Sequence, residues 1–211
     1  MKAILIPVKR FAHSKKRLAT HFSESARAEL VAALCEDFFQ MIAKVRGADR
    51  IFVVSAEPLA LGMALVKGWE TIEEEDQISE SASVDLASDH CAGLGFTAAL
   101  RIPIDIPLCE PRDIEDILAA AEPAPSAVIV PSRDGTGTNA LLRSPPDLFP
   151  SHFGPNSFAL HRGEAERAGA GVKILRNPRI ALDIDEIADI EALRGKLRAD
   201  SAAAGWFKRY T

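Results

Sequence analysis

In residues 3–55, AILIPVKRFAHSKKRLATHFSESARAELVAALCEDFFQMIAKVRGADRIFVVS, two short apolar runs flank a polar loop and a segment of helical period. Ala3 to Val8 is the first run, and Lys9 to His21 is a polar, basic loop. From near Ser23 onward, Leu30, Val31, Leu34, Cys35, Phe38, Met41, Ile42 and Val45 recur at three and four residues, so they share one buried stripe of a helix that Gly47 stops. Arg50 to Ser55 is the second run. Strand, crossover helix and strand make a βαβ unit, the building block of a parallel sheet with helices on its faces.

The alternation continues outward from this unit. A short helix spans Pro58 to Lys67, a strand lies near Thr71, and a helix runs from near Ser83 to about Gly93. Ala98 to Ile102 is a fourth strand, and Pro111 opens a helix with Ile114, Ile117 and Leu118 on its inner face. Ala127 to Val130 is a fifth strand, Gly163 to Ala170 a short helix and Val172 to Leu175 a further strand. Asp185 is placed to cap a last helix that turns Ile187, Ile190, Leu193 and Leu197 inward. The acidic run Glu73 to Asp76 reads as solvated surface. Pro131 to Asn156 is rich in Gly, Pro, Ser, Thr and Asn; connections of this length in compact domains are usually functional or disordered, and a functional one is expected here. The tail Ser201 to Thr211, with Trp206, Phe207 and Tyr210, fits either a pack against the core or a contact with another subunit. At 211 residues the chain is one α/β domain, residues 1–211, around a mostly parallel sheet.

Composition narrows the function. Hydrophobic residues at 47% and charged residues at 26% exclude a disordered chain. A net charge of −5 lacks the overall footprint of a nucleic-acid binder, so no nucleic-acid partner is expected. Cys35, Cys91 and Cys109 are widely spaced, which fits neither a disulfide framework nor a C-x-x-C pair and suits a reduced, cytoplasmic setting. No apolar stretch approaches the roughly 20 residues of a membrane span, and Pro7 and Lys9 cut the N-terminal run far short of a signal peptide.

In parallel α/β sheets ligands gather at the carboxyl ends of the strands. Lys9, Lys15, Lys16 and Arg17 follow the first strand, and such a cation cluster suits a polyphosphate. Asp105 sits between two prolines after the fourth strand, and Leu182 to Asp185 reads L-D-I-D. Magnesium and other hard divalent cations take carboxylate oxygens of this kind in phosphoryl chemistry. Ser132 to Asn139 (SRDGTGTN) and His152 to Ser157 (HFGPNS) offer small residues, hydroxyls and backbone amides for phosphate oxygens. Neither is a P-loop nor a dinucleotide-binding G-x-G-x-x-G. No pair among the five histidines has metal-helix spacing.

These segments, PVK with K-K-R-L at Pro7 to Leu18, IDIPL at Ile104 to Leu108, SRDGTGTNALL at Ser132 to Leu142, HFGPNSF-x-x-H at His152 to His161 and LDID, resemble the phospholactate guanylyltransferase family of deazaflavin coenzyme F-420 biosynthesis. The resemblance implies a three-layer nucleotidyltransferase domain of the nucleotide-diphospho-sugar transferase type, with a mixed sheet. It also implies GTP and Mg2+, and transfer of GMP to a small phosphorylated three-carbon acid. That acid is 2-phospho-L-lactate, phosphoenolpyruvate or 3-phospho-D-glycerate. By the same resemblance Lys9, Lys15 and Arg17 hold the triphosphate, with Lys15, Arg17 and Asp105 catalytic, and Asp105, Asp183 and Asp185 hold metal. Thr138, Gly154 and Ser157 bind the acid, with Asn139 and His161 beside them. Glu80 to Asp85 stands where many members carry Gly-Leu-Asn, which brings Ser83 and Asp85 forward as nucleotide-binding residues. Asn156 stands where the family pattern has glycine. A subunit of an oligomer and a partner in the next enzyme of the pathway are compatible with this reading. The alternatives are a nucleotidyltransferase of the same fold for molybdopterin or a sugar phosphate, which would carry a glycine-rich loop after the first strand, and a non-catalytic nucleotide-binding module.

Overall fold

The computed structural model describes residues 1–211, and the central βαβ unit is β1 (Lys2–Val8), α1 (Glu24–Ile42) and β2 (Arg50–Ser55). Along β1 the side chains alternate: Ile4, Ile6 and Val8 enter one core, Ala3 and Leu5 the other. A strand apolar on both faces must be covered on both, and it is. Helix α1, α2 (Pro58–Val66) and α4 (Pro111–Ala119) cover the first face, and α3 (Glu80–Gly93) covers the second near β1 and β2. Phe39 of α1 is fully buried, a contribution of about 1.5–3 kcal/mol. Ser23 caps α1, its Oγ accepting from the Ala26 amide at 3.2 Å.

The seven strands run in the order β3-β2-β1-β4-β6-β5-β7, with β3 at Glu70–Glu73, β4 at Ala98–Arg101, β5 at Ser126–Pro131, β6 at Thr138–Ser144 and β7 at Gly171–Ile174. Every pairing is parallel except those of β6, which is antiparallel to both β4 and β5. The chain leaves β1 first toward β2 and later returns to its other side as β4. This reversal of strand order opens a crevice between the loops that follow β1 and β4.

Four sequence expectations change. Strand β6 lies inside the stretch read as one long loop; Ala140, Leu141 and Leu142 are buried on both faces, so the segment has no alternation to betray it. Helix α5 is Ser157–Arg167, six residues earlier at its start than the Gly163 expected, because the Phe158 amide is tied to the Thr136 carbonyl at 3.0 Å and the turn starts there. The last helix expected to reach Leu197 ends earlier, as α6 (Ile187–Leu193), and the tail beyond it forms a helix of its own, α7 (Ala202–Tyr210). Glu186 rather than Asp185 caps α6, in a capping box with Asp189. The aromatic tail is α7 and packs on α1, where Trp206 Nε1 donates to the Ala26 carbonyl at 2.7 Å and Asp37 accepts from the Ala202 and Ala203 amides. No helix is long and apolar enough to cross a membrane. All three cysteines are buried and free.

Candidate active site

A cleft of about 920 Å3 opens over the crevice between β1 and β4. Its walls come from the loop after β1, the β4–α4 loop, the β5–β6 turn, the start of α5 and the segment before α6. Lys15 holds a left-handed backbone (φ 51°), uncommon for a side chain of its size, and its side chain is only 8% exposed. Its ammonium is ion-paired to Asp105 and lies 3.2 Å from Oδ1 of Asp185. Burial disfavours that charge, but Asp105 and Asp185 outweigh it and hold the lysine protonated above its ordinary range. Burial likewise opposes the Asp105 carboxylate, and Lys15 reverses the balance, keeping it below the usual range.

Asp105, Asp183 and Asp185 bring one carboxylate oxygen each within 4.8 Å of one another. The Ile184 amide donates to the Asp105 carbonyl at 3.0 Å, which locks the two aspartate loops together. Asn139 on β6 orients Asp183, donating to its Oδ1 at 3.1 Å and to the Ile180 carbonyl at 2.9 Å. Burial, then the like charge of Asp105, pushes the Asp183 carboxyl up to about 6. Three oxygen ligands with more negative charge than Lys15 neutralises form a donor set fit for a hard divalent cation. Arg17 lies at the exposed rim, 3.5 Å from Asp185 and from Glu186.

The opposite wall is made of hydroxyls and small residues. His161 is buried, and its Nε2 accepts from the His152 amide at 2.8 Å. Its Nδ1 therefore carries the proton and donates to Thr138 Oγ1 at 3.0 Å. That arrangement leaves the Thr138 hydroxyl hydrogen free to donate into the cleft. Burial, then Arg101 and Arg143, pushes the imidazole down to about 3, so it stays neutral. Ser157 begins α5, directly after Asn156, which is left-handed at φ 58°. Asparagine suits that geometry, since it tolerates the left-handed region better than other side chains. Gly154 has φ 129°, a backbone that favours glycine, and a Cβ on Gly137 would come within 2.8 Å of Ser132 Oγ, so a side chain there would displace that hydroxyl. In the Ser132–Gly137 turn, Asp134 accepts from Ser132 Oγ, the Thr136 amide and Thr136 Oγ1, and Ser132 Oγ accepts from the Gly137 amide. Those amides brace the turn instead of facing a ligand, contrary to the phosphate cradle expected of this segment.

Of the expected site residues, Lys9, Lys15, Arg17, Asp105, Thr138, Asn139, Gly154, Ser157, Asp183 and Asp185 all line the cleft. His161 sits behind Thr138 as its support. Ser83 and Asp85 are not on the wall: buried Ser83 donates to the Glu74 carboxylate at 2.7 Å, and Asp85 accepts from Arg143 and the Ser151 amide. Helix α3 presents Glu80 instead, joined by Gln77, Arg101 and Phe153, which sequence reading passed over. Arg101 did carry a signal, a charge inside the apolar run A-A-L-R-I.

A family model described as "Guanylyl transferase CofC like" matches residues 1–196. A phosphoenolpyruvate guanylyltransferase of Conexibacter woesei is 36% identical over 193 residues, covering 90% of this chain and 86% of that one. A 2-phospho-L-lactate guanylyltransferase of Methanothermobacter thermautotrophicus is 34% identical (88% and 81% covered). A 3-phospho-D-glycerate guanylyltransferase of Colwellia psychrerythraea is 30% identical (90% of each). Among solved structures, one from Desulfovibrio desulfuricans described as a nucleotide-diphospho-sugar transferase superposes with a TM-score of 0.77 at 16% identity, covering 99% of this chain and 97% of that one, and this likeness shows the fold. With the whole cleft inside the matched residues, the chain belongs to the CofC-like family of guanylyltransferases.

Proposed function

We propose that the chain transfers GMP from GTP to the phosphate of a small phosphorylated three-carbon acid. A phosphate oxygen of the acid bonds to the α-phosphorus, the bond from that phosphorus to the bridging oxygen breaks, and pyrophosphate leaves with the electron pair. The observation that carries this reading is the pairing of the Lys15 ammonium with Asp105 and Asp185, with Asp183 completing the carboxylate cluster, in one cleft that Thr138 and Ser157 also line. Mg2+ held by the three aspartates would supply charge neutralisation of the phosphates, worth several kcal/mol in the transition state. The rest falls to side chains of the chain. Lys15, Arg17 and Lys9 follow β1 and bind and orient the triphosphate, and Lys15 leaves its carboxylate partners to do so. Thr138, its donor direction set by neutral His161, and Ser157 at the start of α5 hold the oxyanions of the acid. No nucleophilic side chain is needed, because the acid itself attacks.

Among the acids, 2-phospho-L-lactate, phosphoenolpyruvate and 3-phospho-D-glycerate share one carboxylate and one phosphate, and the cleft chemistry suits that common pair. Pyrophosphate release measured with GTP, ATP, CTP and UTP against each of the three acids tests the reading. Release that requires GTP together with one of the acids supports it. Release that is indifferent to the acid contradicts it.

A further inference from the structure

Arg101 closes β4 at the floor of the cleft, with its side chain 7% exposed. Its Nη1 donates to the Thr138 and Asn139 carbonyls at 3.3 and 3.0 Å, and its guanidinium lies 4.1 Å from the centre of the Phe153 ring. Nη2 is ion-paired to one oxygen of Glu80, whose other oxygen is 3.3 Å from Lys9 Nζ. Nε is buried and has no partner. A guanidinium donates along its Nε–Nη2 edge as a fork that matches the two oxygens of a carboxylate. Here that fork is half used: Glu80 engages Nη2 alone while its second oxygen turns to Lys9. A buried donor without an acceptor is costly to leave in place.

Resting on the proposed transfer reaction, we infer that Arg101 binds the carboxylate of the phosphorylated acid, and that Glu80 occupies the edge of its fork until the acid arrives. Arg101 is bonded to the backbone of Thr138 and stacked on the neighbour of Gly154, so its charge lies beside the groups that hold the acid. The phosphate of the acid must reach the α-phosphorus near Asp105, which leaves the carboxylate as the group to be anchored away from the reacting centre. When it binds, Glu80 passes to Lys9 alone, and both hydrogens of the fork find acceptors. The assignment separates the two anionic groups of the acid: hydroxyls and α5 for one, the guanidinium for the other.

The experiment compares wild type, Arg101→Lys and Glu80→Gln in steady state, using the best of the three acids and ethyl phosphate, which has the phosphate without the carboxylate. Direct binding of the acid to each free protein is measured by calorimetry. Arg101→Lys, which keeps the charge but removes the fork, is expected to raise KM for the acid about tenfold, leave KM for GTP within about twofold and lower kcat/KM for ethyl phosphate far less than kcat/KM for the acid. Glu80→Gln frees the fork and is expected to lower KM and the calorimetric Kd for the acid several-fold, about the reverse of the first effect. This variant carries the test if Arg101→Lys fails to fold. Equal losses with the acid and with ethyl phosphate, a rise in KM for GTP instead, or weaker acid binding in Glu80→Gln would overturn the assignment. Wild type that binds the acid but shows no GTP-dependent transfer would count against the proposed function alone, since calorimetry still reads the Arg101 site.

Discussion

Lys15 Nζ lies 3.2 Å from Oδ1 of Asp185 while pairing with Asp105 as well, so one buried ammonium bridges two loops that are 80 residues apart in sequence, residues 105 and 185. A lysine in this place competes with a divalent cation for the same oxygens. Its left-handed backbone marks a strained position, of the kind that persists where surrounding structure holds it. On the proposed reaction, the triphosphate would give the ammonium another partner and so couple nucleotide binding to the opening of the carboxylate cluster.

The first prediction follows from that competition. Lys15→Met should bind Mn2+ more tightly than wild type without nucleotide, by about tenfold, the equivalent of about 1.4 kcal/mol of relieved competition. The same variant should bind GTP more weakly and turn over slowly. Mn2+ titration followed by electron paramagnetic resonance measures the metal effect. Equal or weaker Mn2+ binding in the variant contradicts it.

Changing Asp105, Asp183 or Asp185 singly to Asn should lower turnover about a hundredfold or more, because each removes an anionic oxygen from the cluster. Asp185→Asn is the cleanest of the three, since α6 is capped by Glu186 and Asp189 and should keep its stability. Circular dichroism and thermal melting alongside the rate separate the loss of function from loss of fold.

Much of this architecture is legible in local pattern. The stripe from Leu30 to Ile42 and the runs at Ala3 and Arg50 have the periods of helix and strand, and those periods follow from one-sided and two-sided burial. Strand β6 has neither period, because Thr138–Ser144 is buried on both faces and begins directly after a glycine-rich turn. The neighbouring acids Asp185 and Glu186 are both fit to cap α6, and propensity alone does not choose between residues one apart. The aspartates, the basic loop and the hydroxyls carry their chemistry in their identity, so motif reading reaches them. Asn139 on Asp183, His161 on Thr138 and Arg101 on Glu80 are contacts over 44, 23 and 21 residues, which no local pattern encodes. Ser83 and Asp85 mislead for the opposite reason. They occupy the right stretch of sequence, but helix α3 starts at Glu80 and turns them toward Glu74 and Arg143.

Ser157→Ala should raise KM for the acid about tenfold with KM for GTP nearly unchanged, the effect of losing one hydrogen bond to a charged group, about 1.4 kcal/mol. Steady-state kinetics with each substrate varied at saturation of the other checks it. A variant that weakens GTP instead would move Ser157 to the nucleotide side of the cleft.

His161 makes stability depend on pH. Its ordinary value is 6.5 and burial lowers it to about 3, so between those values the unfolded chain binds a proton that the folded chain does not. Folding stability therefore falls as pH drops below 6.5, by up to about 1.4 kcal/mol per pH unit from this group, and is unaffected by it above 6.5. Urea unfolding from pH 7.5 to 4.5 should show this slope, and His161→Gln should flatten it. An unchanged slope in the variant would mean that another group carries the acid sensitivity.

GTP should be preferred to ATP, because a pocket that pairs with one purine leaves its polar groups unpaired by the other, at roughly 1–3 kcal/mol for each buried group. The most direct measurement uses GTP labelled at the α-phosphorus, incubated with Mg2+ and each of the three acids. The label should pass into an adduct of one acid, with one pyrophosphate released for each transfer and far less with α-labelled ATP. Label that remains in free GMP or GDP, or that transfers equally from ATP, would contradict guanylyl transfer as the function of this cleft.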